Sequence, residues 1–137
     1  MKFINKIFTN TINSYLPKGI VLFLDIILVV FSFIFSYLIR FNFSFDFQVA
    51  QFYYQLPLVS FLALISFLAT GSYRGVVRHT GFRDASNLLY ALSLHSILII
   101  LIIFINKKFF INQSFTIPFS IIIIHYLLNL FILIFSR

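Results

Sequence analysis

The sequence predicts an all-α protein, a bundle of four transmembrane helices with both termini in the cytoplasm (N-in/C-in), and three observations carry that expectation. Apolar residues make up 61% and charged residues 9% of the chain, whereas soluble domains carry about 25% charge. Four apolar runs have close to the roughly 20 residues that an α-helix needs to cross a hydrocarbon core of about 30 Å. Lysine and arginine are shared unequally between the two sides those runs define.

Residues 1–16 precede the membrane domain, which occupies residues 17–137. In that first segment Phe3, Ile4, Ile7, Phe8 and Ile12 recur at near-helical spacing, with Lys2, Asn5, Lys6 and Asn13 between them. It reads as a helix lying in the membrane interface or as a disordered basic tail. The first span, 19–39, is bounded by Lys18 and Arg40 and interrupted only by Asp25. The second, 52–70, contains Pro57, which the opening turns of a helix tolerate because their N–H groups have no internal partner. The third, 88–105, stops at Asn106, Lys107 and Lys108. The fourth, 117–135, has Thr116 as its expected N-cap and Pro118 near its first helical position.

Lys2, Lys6, Lys18, Arg74, Arg78, Arg83 and Arg137 fall on one side of these spans, and Arg40, Lys107 and Lys108 on the other. Basic residues near span ends are retained in the cytoplasm, so both termini are expected there. A net charge of +7 suggests nucleic acid in a soluble protein, but here the basic residues sit in small groups with no stripe to follow a phosphate backbone. The expected partners are therefore the bilayer and its anionic headgroups, not nucleic acid. Absence of cysteine excludes disulfides, thiolate metal sites and cysteine nucleophiles. The first apolar run exceeds a signal-peptide core and has no small-residue cleavage site after it, so it reads as a retained span.

Polar groups inside the spans need a partner or a function. Asp25 is followed by Ser32 and Ser36 at i+7 and i+11, a narrow sector that should face other helices. His95 and His125 reach similar depths, within about 5 Å along the membrane normal, and His125 shares a face with Asn129 at i+4. A cluster of Asp25, His95, His125 and Asn129 is geometrically allowed. It reads first as hydrogen bonds that set helix packing, and in the rival reading as a proton or ion path. Ser60, Ala63, Ser66 and Thr70 give the second span a small-residue face for close approach.

The loop between the second and third spans is the most distinctive stretch, running Gly71-Ser-Tyr-Arg-Gly-Val-Val-Arg-His-Thr-Gly-Phe-Arg-Asp84. Arg74 and Arg78 share a face if helical, and Gly71, Gly75 and Gly81 permit sharp turns. It reads as a basic loop on anionic headgroups or as a docking surface for a cytoplasmic partner, with Asp84 pairing one of the arginines. No dinucleotide fingerprint or phosphate-binding loop occurs. No catalytic, cofactor-binding or metal-ligating set is legible, and three acidic residues are poor material for acid and base chemistry. His79 with Asp84 is the one pair of that kind outside the spans. The chain is not expected to be an enzyme by itself.

Asp25 in the first span, the Ser-Tyr-Leu-Ile-Arg-Phe that ends at Phe41, and the loop from Tyr73 to Asp84, with Tyr73, Arg74, Gly75, Arg78 and Arg83, together resemble one family. It is the N-terminal membrane region of the membrane-bound nucleotide-sugar 4,6-dehydratases and epimerases of bacterial polysaccharide biosynthesis. The resemblance runs from about Pro17 to Arg137, and its specific part is the loop. Val77 stands where the family often has tryptophan, and His79 where tyrosine is common. The resemblance implies a cytoplasmic Rossmann-type domain that binds NAD(P) and dehydrates a UDP-linked amino sugar, following the spans or encoded separately. It implies an inner-membrane anchor truncated before that domain, with no cofactor in this chain and no catalytic residue to carry over. The polyprenyl-phosphate sugar-phosphate transferases have a similar four-span region and form one alternative. A small proton-coupled transporter built on Asp25, His95 and His125 is another. Assembly with a second copy stays open.

Overall fold

The computed structural model describes residues 18–44, 49–72, 82–109 and 116–136. All the regular structure among them is helical: α1 (Lys18–Arg40), α2 (Val49–Thr70), α3 (Phe82–Phe109) and α4 (Phe119–Ser136). Each helix is long and apolar enough to cross a membrane, so the chain is built as a multi-pass membrane protein. Among the described residues α1 packs on α2 and α4, and α3 packs on the same two, which leaves α1 and α3 on one diagonal of a four-helix ring. The short connections make consecutive helices antiparallel.

The burial pattern follows from helical periodicity. On α1 the inward stripe is Val21, Asp25, Val29, Ser32, Phe33, Ser36 and Tyr37, while Phe23, Ile27, Phe31 and Phe35 lie exposed on the other side. On α2 it is Gln55, Val59, Leu62, Ala63, Ser66 and Phe67. Steps of three and four residues keep a single face turned to the neighbours. Ala63 and Ser66 are fully buried, so the small side chains of α2 stand where helices approach. Ser60, Ser66 and Thr70 each donate to the carbonyl four residues back, which satisfies their hydroxyls within the helix. Large apolar side chains cover the outside of every helix, an arrangement stable only where lipid replaces water.

The helices differ in extent from the apolar runs. α3 begins at Phe82 and ends at Phe109, about 42 Å at 1.5 Å per residue. Residues 82–87, read as loop from their polarity, form its opening turn and a half, and Asn106, Lys107 and Lys108 continue the helix. Polarity ends a hydrocarbon span but not a backbone helix, because Asn and Lys keep helical geometry once water or headgroups solvate them. α2 starts at Val49, so Pro57 lies in its interior, not in its opening turns. Its missing N–H leaves the Tyr53 carbonyl without the usual helical donor.

Two helix ends are closed by left-handed residues. After α1, Asn42 has φ 50° and Phe43 φ 59°, while Phe43 N–H donates to the Leu38 carbonyl (2.7 Å) and Asn42 N–H to that of Ile39 (3.2 Å). This is a Schellman closure with asparagine in the glycine position. Gly71, at φ 64°, ends α2 with its N–H on the Phe67 carbonyl (3.0 Å). α4 begins at Phe119, three residues after Thr116. Pro118 precedes that first residue, and its carbonyl accepts from Ile121 N–H (3.0 Å).

Candidate functional site

The sector of α1 that carries Asp25, Ser32 and Ser36 faces inward, and all three residues are buried. Ser36 donates to the Ser32 carbonyl (2.7 Å), which leaves Ser32 Oγ to reach across to α4. Its neighbours are Asn129 Oδ1 and His125 Nδ1, the latter at 3.1 Å, besides the Val29 carbonyl of its own helix at 2.8 Å. His125 and Asn129 sit one turn apart on α4, and the Asn129 amide nitrogen lies 3.0 Å from His125 Nε2. From α3, His95 completes the group, with its Nε2 3.4 Å from His125 Nε2. Three helices thus meet near mid-bundle through four polar side chains, each with 1% or less of its surface exposed.

The proton inventory limits how this cluster is wired. Ser32 Oγ carries one hydrogen. When that hydrogen goes to Asn129 Oδ1, His125 Nδ1–H is the donor to Ser32 Oγ. His125 Nε2 is then a lone pair that accepts from the Asn129 amide. His95 is less well served: its Nδ1 makes no hydrogen bond among the described residues, although the Leu62 carbonyl of α2 lies beside the ring. Aromatic side chains wall the cluster. Phe33 stands edge-on to His125, with ring centroids 5.3 Å apart, and stacks on Phe52 of α2 at 6.0 Å.

A second polar contact lies about 8 Å further along α1. Tyr37 donates its hydroxyl to Gln55 Oε1, and the Gln55 amide donates to the Thr116 carbonyl at 3.3 Å. Gln55 is buried in α2, so this contact ties α1, α2 and the approach to α4 together. Sequence reasoning did not single it out. The signal was available: Gln55 stands four residues before Val59 and seven before Leu62, on the buried stripe.

The other sequence-derived candidates divide plainly. Of the geometrically allowed cluster of Asp25, His95, His125 and Asn129, the last three come together. Asp25 lies in the same sector of α1, about 10 Å along the helix from Ser32, and is engaged in an interaction of its own. Arg40 occupies the last turn of α1 and Asp84 the first turn of α3, where each opposes the sign of the helix dipole. Arg83 is exposed, and its carbonyl accepts from Ser86 Oγ (2.8 Å). Tyr73, Arg74, Gly75, Arg78 and His79 lie outside the described residues, and so does residues 1–16. Among the described residues no group of three or more His, Cys, Asp or Glu side chains converges. Compared with known protein families, curated proteins and solved structures, the chain finds no match.

Proposed function

We propose that this chain is the membrane domain of a nucleotide-sugar-modifying enzyme, a dehydratase or epimerase of UDP-linked amino sugars, at the cytoplasmic face of a bacterial inner membrane. The observation that carries the reading is the loop from Gly71 to Asp84 between two spans, whose Tyr-Arg-Gly and Arg-Asp pattern resembles that family. The buried cluster supports it. Ser32, His125 and Asn129 bond chiefly to one another, which suits helices held in register.

In this reading the bundle contributes position. A Rossmann-type domain, following the spans or encoded separately, binds NAD(P) and carries out the chemistry, and the bundle keeps it beside membrane glycosyltransferases and their lipid carriers. The product served is capsule, O-antigen or another surface polysaccharide. Both termini are cytoplasmic, where nucleotide sugars are made, and the basic loop rests on anionic headgroups or on the catalytic domain.

The test is to tag the chain in its native membrane, isolate it with whatever it is joined or bound to, and supply a UDP-linked N-acetylhexosamine with NAD(P). Formation of a 4-keto-6-deoxy product supports the reading. Transfer of sugar phosphate to polyprenyl phosphate instead would move the chain to the transferase family. Uptake of protons or solute by liposomes that carry the chain alone, abolished by Asp25→Asn, would overturn the anchor reading.

A further inference from the structure

We propose that two copies of this chain pair in the membrane through the lipid-facing side of α3 and α4, joined inside the hydrocarbon by the hydroxyls of Ser93 and Tyr126 from each copy. The inference goes beyond the anchor reading and does not depend on it. Ser93 on α3 and Tyr126 on α4 are both half-buried, and their oxygens lie 3.3 Å apart across the line where the two helices meet. Among the described residues neither side chain makes another hydrogen bond. Other hydroxyls in the spans are served by their own helix: Ser60, Ser66, Thr70 and Ser96 each donate to the carbonyl four residues back. Ser93 makes no such bond to the Leu89 carbonyl and turns to Tyr126 instead.

Two hydroxyls carry two hydrogens. Their mutual bond uses one, so the other lacks an acceptor, while both oxygens keep lone pairs to spare. Depth decides what can complete the set. Ser93 is five residues beyond Leu88, about 7.5 Å into the apolar run, and Tyr126 is seven beyond Phe119, about 10 Å into α4 at 1.5 Å per residue. Lipid ester oxygens and water stay outside the hydrocarbon core, and an unmet donor within it is costly. An acceptor at this depth has to be brought by protein.

The protein surface that fits is the same one. Across a two-fold axis each pair gives its free hydrogen to a free lone pair of the other, and the four hydroxyls close a ring in which every oxygen donates once and accepts once. A hydroxyl suits that symmetry because it is donor and acceptor in one atom. The surroundings suit it too. Leu89 and Ile97 stand one turn to either side of Ser93, and Ile123 and Leu130 one turn to either side of Tyr126. Leu89, Ile97 and Ile123 are exposed, and Leu130 is half-buried. These side chains gain little by exchanging lipid for protein, so they contribute packing while the hydroxyls select the partner and its register. Ser93 is the smallest side chain of the patch and leaves room for the second copy to approach.

The experiment places a donor or acceptor dye on Phe82→Cys, a position 92% exposed in a chain without cysteine. The full chain is reconstituted in phosphatidylethanolamine–phosphatidylglycerol liposomes, and energy transfer is followed as added lipid dilutes the protein. We expect a dilution curve of two-copy stoichiometry. Tyr126→Phe and Ser93→Ala should each weaken pairing roughly tenfold, the worth of two interhelical hydrogen bonds in a membrane, with helicity by circular dichroism unchanged. Ser96→Ala, whose hydroxyl is held by its own helix, should stay within about twofold of the parent. Energy transfer no higher than random proximity gives, a stoichiometry other than two, or unchanged affinity in either hydroxyl variant would each overturn the proposal. Should a variant lose its helicity, a photo-crosslinking amino acid decides independently: at Ile97 it should capture a second copy, and at Phe61, exposed on α2, it should not. The reverse pattern, or capture at neither, refutes the α3 and α4 interface.

Discussion

Replacing Ser32 by alanine and Asn129 by alanine, singly and together, tests whether the polar cluster holds α1 to α4. Ser32→Ala changes the buried volume little, so its effect is the loss of the links from Oγ to His125 Nδ1 and to Asn129. Interhelical hydrogen bonds in membrane proteins contribute about 0.6 kcal/mol on average and up to about 1.7. Two of them give an expected destabilisation of about 1–2 kcal/mol. Asn129→Ala loses its bonds to Ser32 and to His125 and also leaves a void, so about 2–3 kcal/mol is expected. Because one bond is shared, the double variant should be less destabilised than the sum, with a coupling of about 0.6–1.7 kcal/mol. Reversible unfolding in mixed micelles, by titration of SDS mole fraction, reads all four corners of the cycle. A coupling below about 0.3 kcal/mol would mean that the two side chains act independently, and the wiring of the cluster would be wrong.

Phe61, at the middle of α2 and 64% exposed, faces lipid. Phe61→Arg should therefore weaken insertion by about 3–4 kcal/mol, read from glycosylation of a reporter fused across the translocon. Asn42→Val places a β-branched residue at φ 50° and should lower stability by about 1–2 kcal/mol, whereas Asn42→Gly should leave it within a few tenths. Unfolding in the same micelles measures both, and equal effects would rule out the left-handed closure. Gln55→Leu removes the acceptor of Tyr37 and the donor to the Thr116 carbonyl. A loss of about 1–2 kcal/mol is expected, and an unchanged midpoint would show that this contact does not join the helices. Since the chain has no cysteine, Asn42→Cys and Phe82→Cys report topology cleanly. Impermeant maleimide should label Asn42→Cys from outside the cell and Phe82→Cys only after lysis, and labelling of both from one side would break the antiparallel order.

Four helices were legible in the sequence because a hydrocarbon solvent imposes length and apolarity at once, and both can be counted. The meeting of His95, His125 and Asn129 was legible from depth and i+4 spacing, since rise per residue turns position into height. What composition could not give was azimuth: Ser32 was placed in a polar sector, but its contact with both α4 residues depends on how the helices are rotated. Helix ends were less legible for a different reason. Residues 82–87 are polar yet helical, and Asn42 closes α1 without glycine, because backbone geometry outlasts the apolar run that hydropathy detects.

The composition of this bundle makes its few polar contacts decisive. Phenylalanine, isoleucine and leucine cover the lipid-facing surface and also fill much of the interior, so burying one more of them between helices gains little over leaving it in lipid. Apolar packing alone would tolerate a helix turned by 100° or slid by a turn. The two polar layers do not. Rotating α4 takes Asn129 and His125 away from Ser32 and into hydrocarbon, and sliding α2 takes Gln55 away from Tyr37 and Thr116 together. Each misalignment exposes polar groups where no water can satisfy them, at a few kcal/mol per group. Register is thus set by groups that are expensive to misplace, and the same economy explains why the interior of so apolar a chain contains histidine, asparagine, glutamine and serine at all.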